Sequence, residues 1–255
     1  LITGIVALPL LVGFIRYAPA SWFSVFIALC TFLGMQELYR MSIPSRRAEG
    51  ILGSLAGGAA ILLFPGGYVL PVFTGFFLLF SLLMLFRFRD IRDAGGELAL
   101  LLLPLLYVPL LLGHLVLIRQ EPAGIRWIFF LLLLIMAGDT AAYYVGSSLG
   151  KNRLYPEVSP KKSVEGAIGG LAGSVAAAFI AGWTFLPGIS VSECVLLPLV
   201  LGPLGQLGDL FESLLKRSFG VKDSGGIIPG HGGILDRLDS LLFSAPVLFY
   251  YLSLR

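Results

Sequence analysis

This sequence predicts an all-α, polytopic membrane protein of about nine transmembrane helices with short loops, and three observations predict it. Of its 255 residues, 57% are hydrophobic and 13% charged, and the mean hydropathy is +0.91. Soluble domains carry about 25% charged and about 45–50% apolar residues. A water-soluble enzyme is therefore excluded, and so is a disordered chain, which needs low hydrophobicity and high net charge. The apolar residues come in long runs bounded by charges or Gly/Pro clusters. The cationic residues gather in alternate connections between those runs.

The runs place spans near 1–16, 20–38, 50–66, 68–86, 96–118, 125–147, 164–186, 194–215 and 235–254. At about 20 residues per span, nine helices consume most of the chain. No basic n-region or A-x-A site flanks the first run, so it reads as a span rather than a cleaved leader. Only Gly66-Gly67-Tyr68 separates the third run from the fourth, which predicts a helical hairpin. The 32 Gly and 15 Pro follow no collagen period and suit transmembrane helices.

Orientation follows from the charges. The connection after span two holds Arg40, Arg46 and Arg47; that after span four holds Arg87, Arg89 and Arg92. Lys151, Arg153, Lys161 and Lys162 follow span six, and Lys216, Arg217, Lys222 and Arg237 follow span eight. These are fourteen of the 18 Lys and Arg residues. The positive-inside rule puts them in the cytoplasm, with the N-terminus inside and the C-terminus outside. Arg40, Arg46 and Arg47 are expected to orient the chain and to touch anionic lipid. A net charge of +3 is too mild to argue for nucleic acid. Cys30 and Cys194 have no metal spacing and read as buried thiols. Trp22, Trp127, Tyr143, Tyr144, Tyr250 and Tyr251, near span ends, read as interfacial anchors.

The two halves differ in character. Residues 1–120 carry few polar groups inside their spans, chiefly Glu37 and His114. They are expected to pack in lipid, with room for a homodimer surface, and His114 to bond between helices. Residues 121–255 place Asp139, Glu165, Asp209, Glu212, Asp236 and Asp239 within or at the edge of apolar helices. A carboxylate there costs at least ~2.5–3.5 kcal/mol on the insertion scale, so this half needs compensating cations or a polar cavity and is expected to be catalytic.

Asp209, Glu212, Ser213 and Lys216 share one helical face by spacing, and Asp236 and Asp239 share another. Both clusters fall near cytoplasmic span ends joined by one glycine-rich loop, so the two carboxylate faces can converge. The loop carries Lys216, Arg217, Lys222, Asp223, His231, Gly232, Gly233 and Arg237. Glycines let backbone N–H groups approach a ligand closely, and carboxylates with cations suit a polyphosphate held with Mg²⁺. A second basic stretch, with Lys151, Lys161 and Lys162, can close over the same site. Simpler alternatives stand beside these readings. Asp209 and Glu212 could pair with Lys216 and Arg217, and Asp236-Arg237-Leu238-Asp239 could be an ion-pair network at a helix start. Asp139 could bond Tyr143, and Glu165 could cap a helix after Ser163.

The string from Ser213 to Asp239 resembles the signature of the phosphatidate cytidylyltransferases, or CDP-diacylglycerol synthases. Ser213, Lys216, Arg217, Lys222, Asp223, Gly225, Pro229, His231, Gly232, Gly233, Asp236, Arg237 and Asp239 all fall on that pattern. Gly138-Asp139-Thr140-Ala141-Ala142-Tyr143 and residues 158–166 resemble the family's second conserved region. Lys162 and Ser163 stand there where a small residue and Thr are usual. Detailed resemblance covers about residues 135–240.

What the resemblance implies is Mg²⁺-dependent transfer of CMP from CTP to phosphatidate, giving CDP-diacylglycerol and pyrophosphate, with a second ion, divalent or K⁺, as an option. It implies Asp209 and Asp236 as first metal ligands, then Asp239, Ser213 and Glu212. Lys216 and Arg237 would take phosphate charge and His231 would hydrogen-bond phosphate. Arg217, Lys222, Asp223, Gly232, Gly233 and the three lysines 151, 161 and 162 would complete the substrate site. The partners implied are CTP, phosphatidate and membrane lipids, in a bacterial inner membrane with the site facing the cytoplasm. Two rivals are a CTP-dependent lipid kinase, which should lack the full string, and a cation-coupled transporter, which would place carboxylates mid-span on broken helices. A CDP-alcohol phosphotransferase is disfavoured because its Asp-Gly-x2-Ala-Arg motif is absent.

Overall fold

The computed structural model describes residues 2–88, 90–226 and 232–255. Among them run α1 (Ile2–Tyr17), α2 (Ala20–Ser42), α3 (Arg47–Leu63), α4 (Val69–Arg87), α5 (Ala94–Leu112), α6 (His114–Gln120) and α7 (Gly124–Leu149). A two-stranded hairpin follows, β1 (Arg153–Tyr155) and β2 (Ser159–Ser163), then α8 (Val164–Thr184), α9 (Val191–Ser218) and α10 (Asp239–Leu254). Every expected span coincides with helix, so the all-α class holds.

The expected count of nine crossings is met only in part. Among the described residues, seven helical segments are long and apolar enough to cross a membrane, including α5 and α6 taken together as Ala94–Gln120. Among the described residues, Leu8–Tyr17 of α1 and Asp239–Leu254, which is α10, are shorter apolar helices. Large apolar side chains face outward, with Leu70 78%, Phe86 80% and Trp183 93% exposed. Lipid, not water, is the solvent for such faces. This is an integral membrane protein.

The chain divides into two compact units, Leu1–Ile125 and Arg126–Arg255. In the first, α2 packs on α3 and α5, and the Tyr39 hydroxyl donates to Leu101 O at 2.7 Å across that contact. The predicted α3–α4 hairpin forms through a 3₁₀ turn, Phe64–Gly66, closed by Gly67 at φ 76°. α5 ends at Gly113, whose N–H donates to Pro109 O at 3.0 Å, and α6 follows at once. His114 sits at that break with Nδ1 2.9 Å from Leu110 O and 3.3 Å from Leu111 O. It meets carbonyls of the preceding helix, Leu110 and Leu111.

In the second unit, α9 packs on both α8 and α10. Isolated hydroxyls and one amide bridge the helices. Ser174 donates to Leu134 O (3.1 Å), Gln206 Nε2 to Ala167 O (3.1 Å) and Ser244 to Leu201 O (3.1 Å). Such bonds are favoured where no water competes. Ser190 and Glu193 form a capping box at the start of α9, the Ser-x-x-Glu spacing that satisfies two orphan N–H groups. Trp127 is 2% exposed, between Phe130 and Tyr251 with the Arg255 guanidinium 5.2 Å from its ring centroid. It is a core residue and not an interfacial anchor. Trp22, Tyr143, Tyr144 and Tyr250 are exposed as anchors should be.

Candidate active site

Three elements of the second unit bring the site together. α9 carries Asp209, Glu212, Ser213 and Lys216 toward its C-terminal end, the 3₁₀ turn Leu235–Arg237 carries Asp236, and α10 opens on Asp239. α9 and α10 meet closely because Gly208 leaves room. A Cβ on Gly208 would lie 2.4 Å from the Asp239 carbonyl oxygen, closer than any side chain tolerates. The two carboxylate-bearing faces therefore converge as their spacing suggested.

Lys216 joins them. Its Nζ donates to Asp236 Oδ1 at 2.5 Å and lies 3.4 Å from Glu212 Oε1. Asp236 Oδ2 then accepts from Ser224 N (3.1 Å), Ser224 Oγ (2.8 Å) and Gly233 N (2.7 Å). Asp236 thus ties the two described ends of the glycine-rich loop to α9. Gly232, at φ 80°, makes the turn that lets this happen. It has the left-handed backbone that glycine adopts without penalty, and a Cβ there would meet Asp236 Oδ2 at 2.6 Å. Burial works against the Asp236 charge, but the Lys216 ammonium, the Gly233 N–H and Ser224 outweigh it and hold the carboxyl at about 2.

The second basic stretch does reach this site. Lys162, on β2, places Nζ 2.7 Å from Asp209 Oδ2, and the Ser213 hydroxyl is 3.4 Å from Asp209 Oδ1. Asp139, on α7, has Asp209 and Lys162 as its charged neighbours, and Asp239 has Asp209, Glu212 and Asp139. Asp139, Asp209, Glu212, Asp236 and Asp239 therefore form one electrostatic cluster around two lysines. The alternative in which Asp209 pairs with Lys216 or Arg217 is not what forms, since its partner comes from a strand 47 residues upstream. Asp139 is tied electrostatically to Asp209 and Lys162.

The hairpin that delivers Lys162 is fixed at its base. The Glu165 carboxylate accepts from Lys151 N (3.1 Å), Asn152 N (3.2 Å) and Asn152 Nδ2 (2.7 Å). The cap of α8 is Ser163, whose Oγ accepts from Gly166 N at 3.1 Å. Glu165 is therefore a hairpin clamp, not the helix cap. Glu165→Ala should raise KM for the ligand of the Lys162–Asp209 site about 10-fold while kcat changes less, because the loss is one of positioning. Initial-rate kinetics decide it, and an unchanged KM alongside a lower melting temperature would reduce Glu165 to a fold residue.

The other expected substrate residues are less engaged. Lys151 and Lys161 are exposed beside the hairpin, and the Lys161 carbonyl accepts from Arg153 at 3.4 Å. Arg217 donates to Val221 O at 3.1 Å, closing the end of α9. Lys222 and Asp223 are exposed and enter no ion pair among the described residues. Arg237 is exposed. His231 and Pro229 lie outside the described residues. Ser224, buried and donating twice to Asp236, was missed. Its only signal was its place between Asp223 and Gly225 in the signature.

The donor set fits a divalent cation in chemistry. Glu212 is fully buried, and neither of its oxygens accepts a hydrogen bond. The Lys216 ammonium is 3.4 Å away, and clustered carboxylates are hard oxygen ligands suited to Mg²⁺. Among the described residues no three such side chains are arranged to hold an ion as they stand; Lys162 and Lys216 occupy Asp209 and Asp236.

The whole chain, residues 1–255, matches the cytidylyltransferase family. The chain belongs to this family. It is 37% identical over 236 residues to a phosphatidate cytidylyltransferase of Bacillus subtilis, covering 89% of this chain and 85% of the relative. It is 37% identical over 254 residues to one of Staphylococcus saprophyticus, covering 97% and 94%. A phosphatidate cytidylyltransferase of Synechocystis is 35% identical over 265 residues, covering 91% and 89%. Family membership thus extends over the first 120 residues, where the sequence alone offered only apolar character.

Proposed function

We propose that this chain transfers CMP from CTP to phosphatidate, forming CDP-diacylglycerol and pyrophosphate. The observation that carries this is the cluster of Asp139, Asp209, Glu212, Asp236 and Asp239 around Lys162 and Lys216 at the ends of α9 and α10, in a member of the cytidylyltransferase family. A phosphatidate phosphate oxygen attacks the α-phosphorus of CTP; the new O–P bond forms as the bond to the β-phosphate oxygen breaks, and pyrophosphate leaves with the bonding pair. The nucleophile is already anionic, so no general base is required. What the site must supply is charge neutralisation and in-line alignment.

The residues divide that work. Asp209, Glu212 and Asp239 would hold the divalent cation, with Asp236 contributing once Lys216 turns to phosphate, and Ser213 beside them. When bound, Mg²⁺ neutralises the triphosphate and stabilises the leaving pyrophosphate; a second ion, divalent or K⁺, is compatible with the number of carboxylates. Lys162 and Lys216 then have the reach to exchange a carboxylate for a phosphate oxygen. Asp236, through Ser224 and Gly233, keeps the loop backbone in place. Lys151, Lys161, Arg217, Lys222, Asp223, His231 and Arg237 surround this centre in sequence and would take the outer phosphates and the lipid headgroup. The distribution of Lys and Arg supports a site facing the cytoplasm at the bacterial inner membrane.

Isotope position tests the reaction. With [α-³²P]CTP and phosphatidate in mixed micelles, label should enter the lipid fraction; with [γ-³²P]CTP it should leave as pyrophosphate. Label from the γ position in the lipid would make the protein a CTP-dependent kinase.

A further inference from the structure

We propose that the mouth between the end of α2 and the start of α3 binds the phosphate headgroup of an anionic glycerophospholipid, in a unit that carries none of the carboxylate site. A cavity of about 460 Å³ opens there, lined by Gln36, Tyr39, Arg40, Ile43, Arg47 and Ile51 among others. That volume lies within the range of small-ligand pockets, ~300–1,000 Å³.

The cations around the mouth fall into two kinds. Arg46 is 5% exposed and its guanidinium is committed. It donates to Glu97 through Nε at 3.0 Å, to Glu97 again through Nη2, to Arg87 O at 3.2 Å and to Glu49 at 3.5 Å. Arg87 completes this knot with Glu49 at 3.4 Å. Arg46 therefore braces the α2–α3 turn against the end of α4 and the start of α5 and offers little charge to a ligand. Arg40 and Arg47 are exposed, line the cavity and enter no ion pair with a described residue. Two free guanidiniums at one rigid mouth match a phosphate, which arginine binds through paired N–H groups. The first turn of α3 has no side-chain cap, so its N–H groups add positive character at the same place.

Below the arginines the surface becomes apolar. Arg47, Ile51, Leu55 and Leu62 fall on one face of α3 by helical spacing. Ile51 is 50%, Leu55 57% and Leu62 49% exposed. A charged mouth at the end of a spanning hairpin, continued by an exposed apolar stripe along it, is shaped for a headgroup with its acyl chains. A free phosphate would use only the upper part.

The test is lipid binding by the full-length protein in non-ionic detergent, read by native mass spectrometry with dioleoylphosphatidylglycerol, dioleoylphosphatidylcholine and inorganic phosphate. Phosphatidylglycerol should bind wild type at least 10-fold more tightly than the Arg40→Gln/Arg47→Gln variant, while phosphatidylcholine binds both alike. Arg40→Lys/Arg47→Lys should recover part of the affinity. Ile51→Trp, which fills the mouth and keeps both charges, should lose phosphatidylglycerol as the Gln variant does, and it serves if that variant fails to fold. Equal phosphatidylglycerol affinity in wild type and the Gln or Trp variant would overturn the proposal. Inorganic phosphate competing as well as the lipid at equal concentration would overturn the lipid assignment in favour of a simple anion site.

Discussion

Asp209→Ala should lower cytidylyl transfer by on the order of 10³-fold, the scale of removing a group that acts on developing charge, while leaving the protein folded. Asp209 sits where the hairpin, α9 and the Asp139–Asp239 pair meet. Its loss takes one of the carboxylates proposed to hold the cation and frees Lys162 from its partner. Stability should change by less than ~1 kcal/mol, because the Lys162 and Asp209 side chains are 28% and 34% exposed and such pairs contribute little. Label transfer in micelles and a melting curve in detergent separate the two effects. Normal turnover in the variant would show that the carboxylate cluster does not serve the reaction.

Lys216→Met should do something different, removing both activity and stability. Lys216 lies between Asp236 and the fully buried Glu212. Without it, Glu212 is a buried carboxyl with no adjacent ammonium and no hydrogen-bond donor, and leaving such a polar group unsatisfied costs about 1–3 kcal/mol. Asp236 keeps its Ser224 and Gly233 donors, so the loop loses one of several ties. The double variant Lys216→Met/Glu212→Gln should recover much of the melting temperature and none of the turnover. If the single variant melts like wild type, Lys216 is not what makes the buried carboxylate tolerable. If the double variant regains turnover, neither residue belongs to the chemistry.

Much of the fold was legible because a lipid-facing helix needs only length and apolar character, and both are read directly from sequence. The runs at 125–147, 164–186 and 68–86 became Gly124–Leu149, Val164–Thr184 and Val69–Arg87. The last run shows the limit. Residues 235–237 look like the start of the helix, but they form a separate 3₁₀ turn that swings Asp236 onto Lys216 and the loop, and α10 begins at Asp239. The 153–163 hairpin was not legible. Its strands are short and carry Arg, Lys, Ser and Pro with no apolar alternation, and a clamp from Glu165 on the next helix holds its base. The division at Gly113 lies inside one continuous apolar run, so nothing in the pattern marks it.

The site divides in the same way. Spacing along α9 put Asp209, Glu212, Ser213 and Lys216 on one face, and the short connection to α10 brought Asp236 and Asp239 near it. Lys162 on Asp209, and Asp139 beside both, depend on packing between elements far apart in the chain, which no local pattern encodes. Ser224 gave no signal beyond its neighbours, because its work is to hold Asp236 in place. Arg217 also closes the end of its own helix through Val221 O, a contact that its charge and position did not announce.

Pyrophosphate release by the purified protein in mixed micelles tests the central claim most directly. CTP, phosphatidate and Mg²⁺ are supplied together, each is omitted in turn, and the series is repeated with ATP. The account predicts release only when all three are present, with a CDP-lipid as co-product. Release without phosphatidate, or a nucleoside diphosphate as the product, would contradict it.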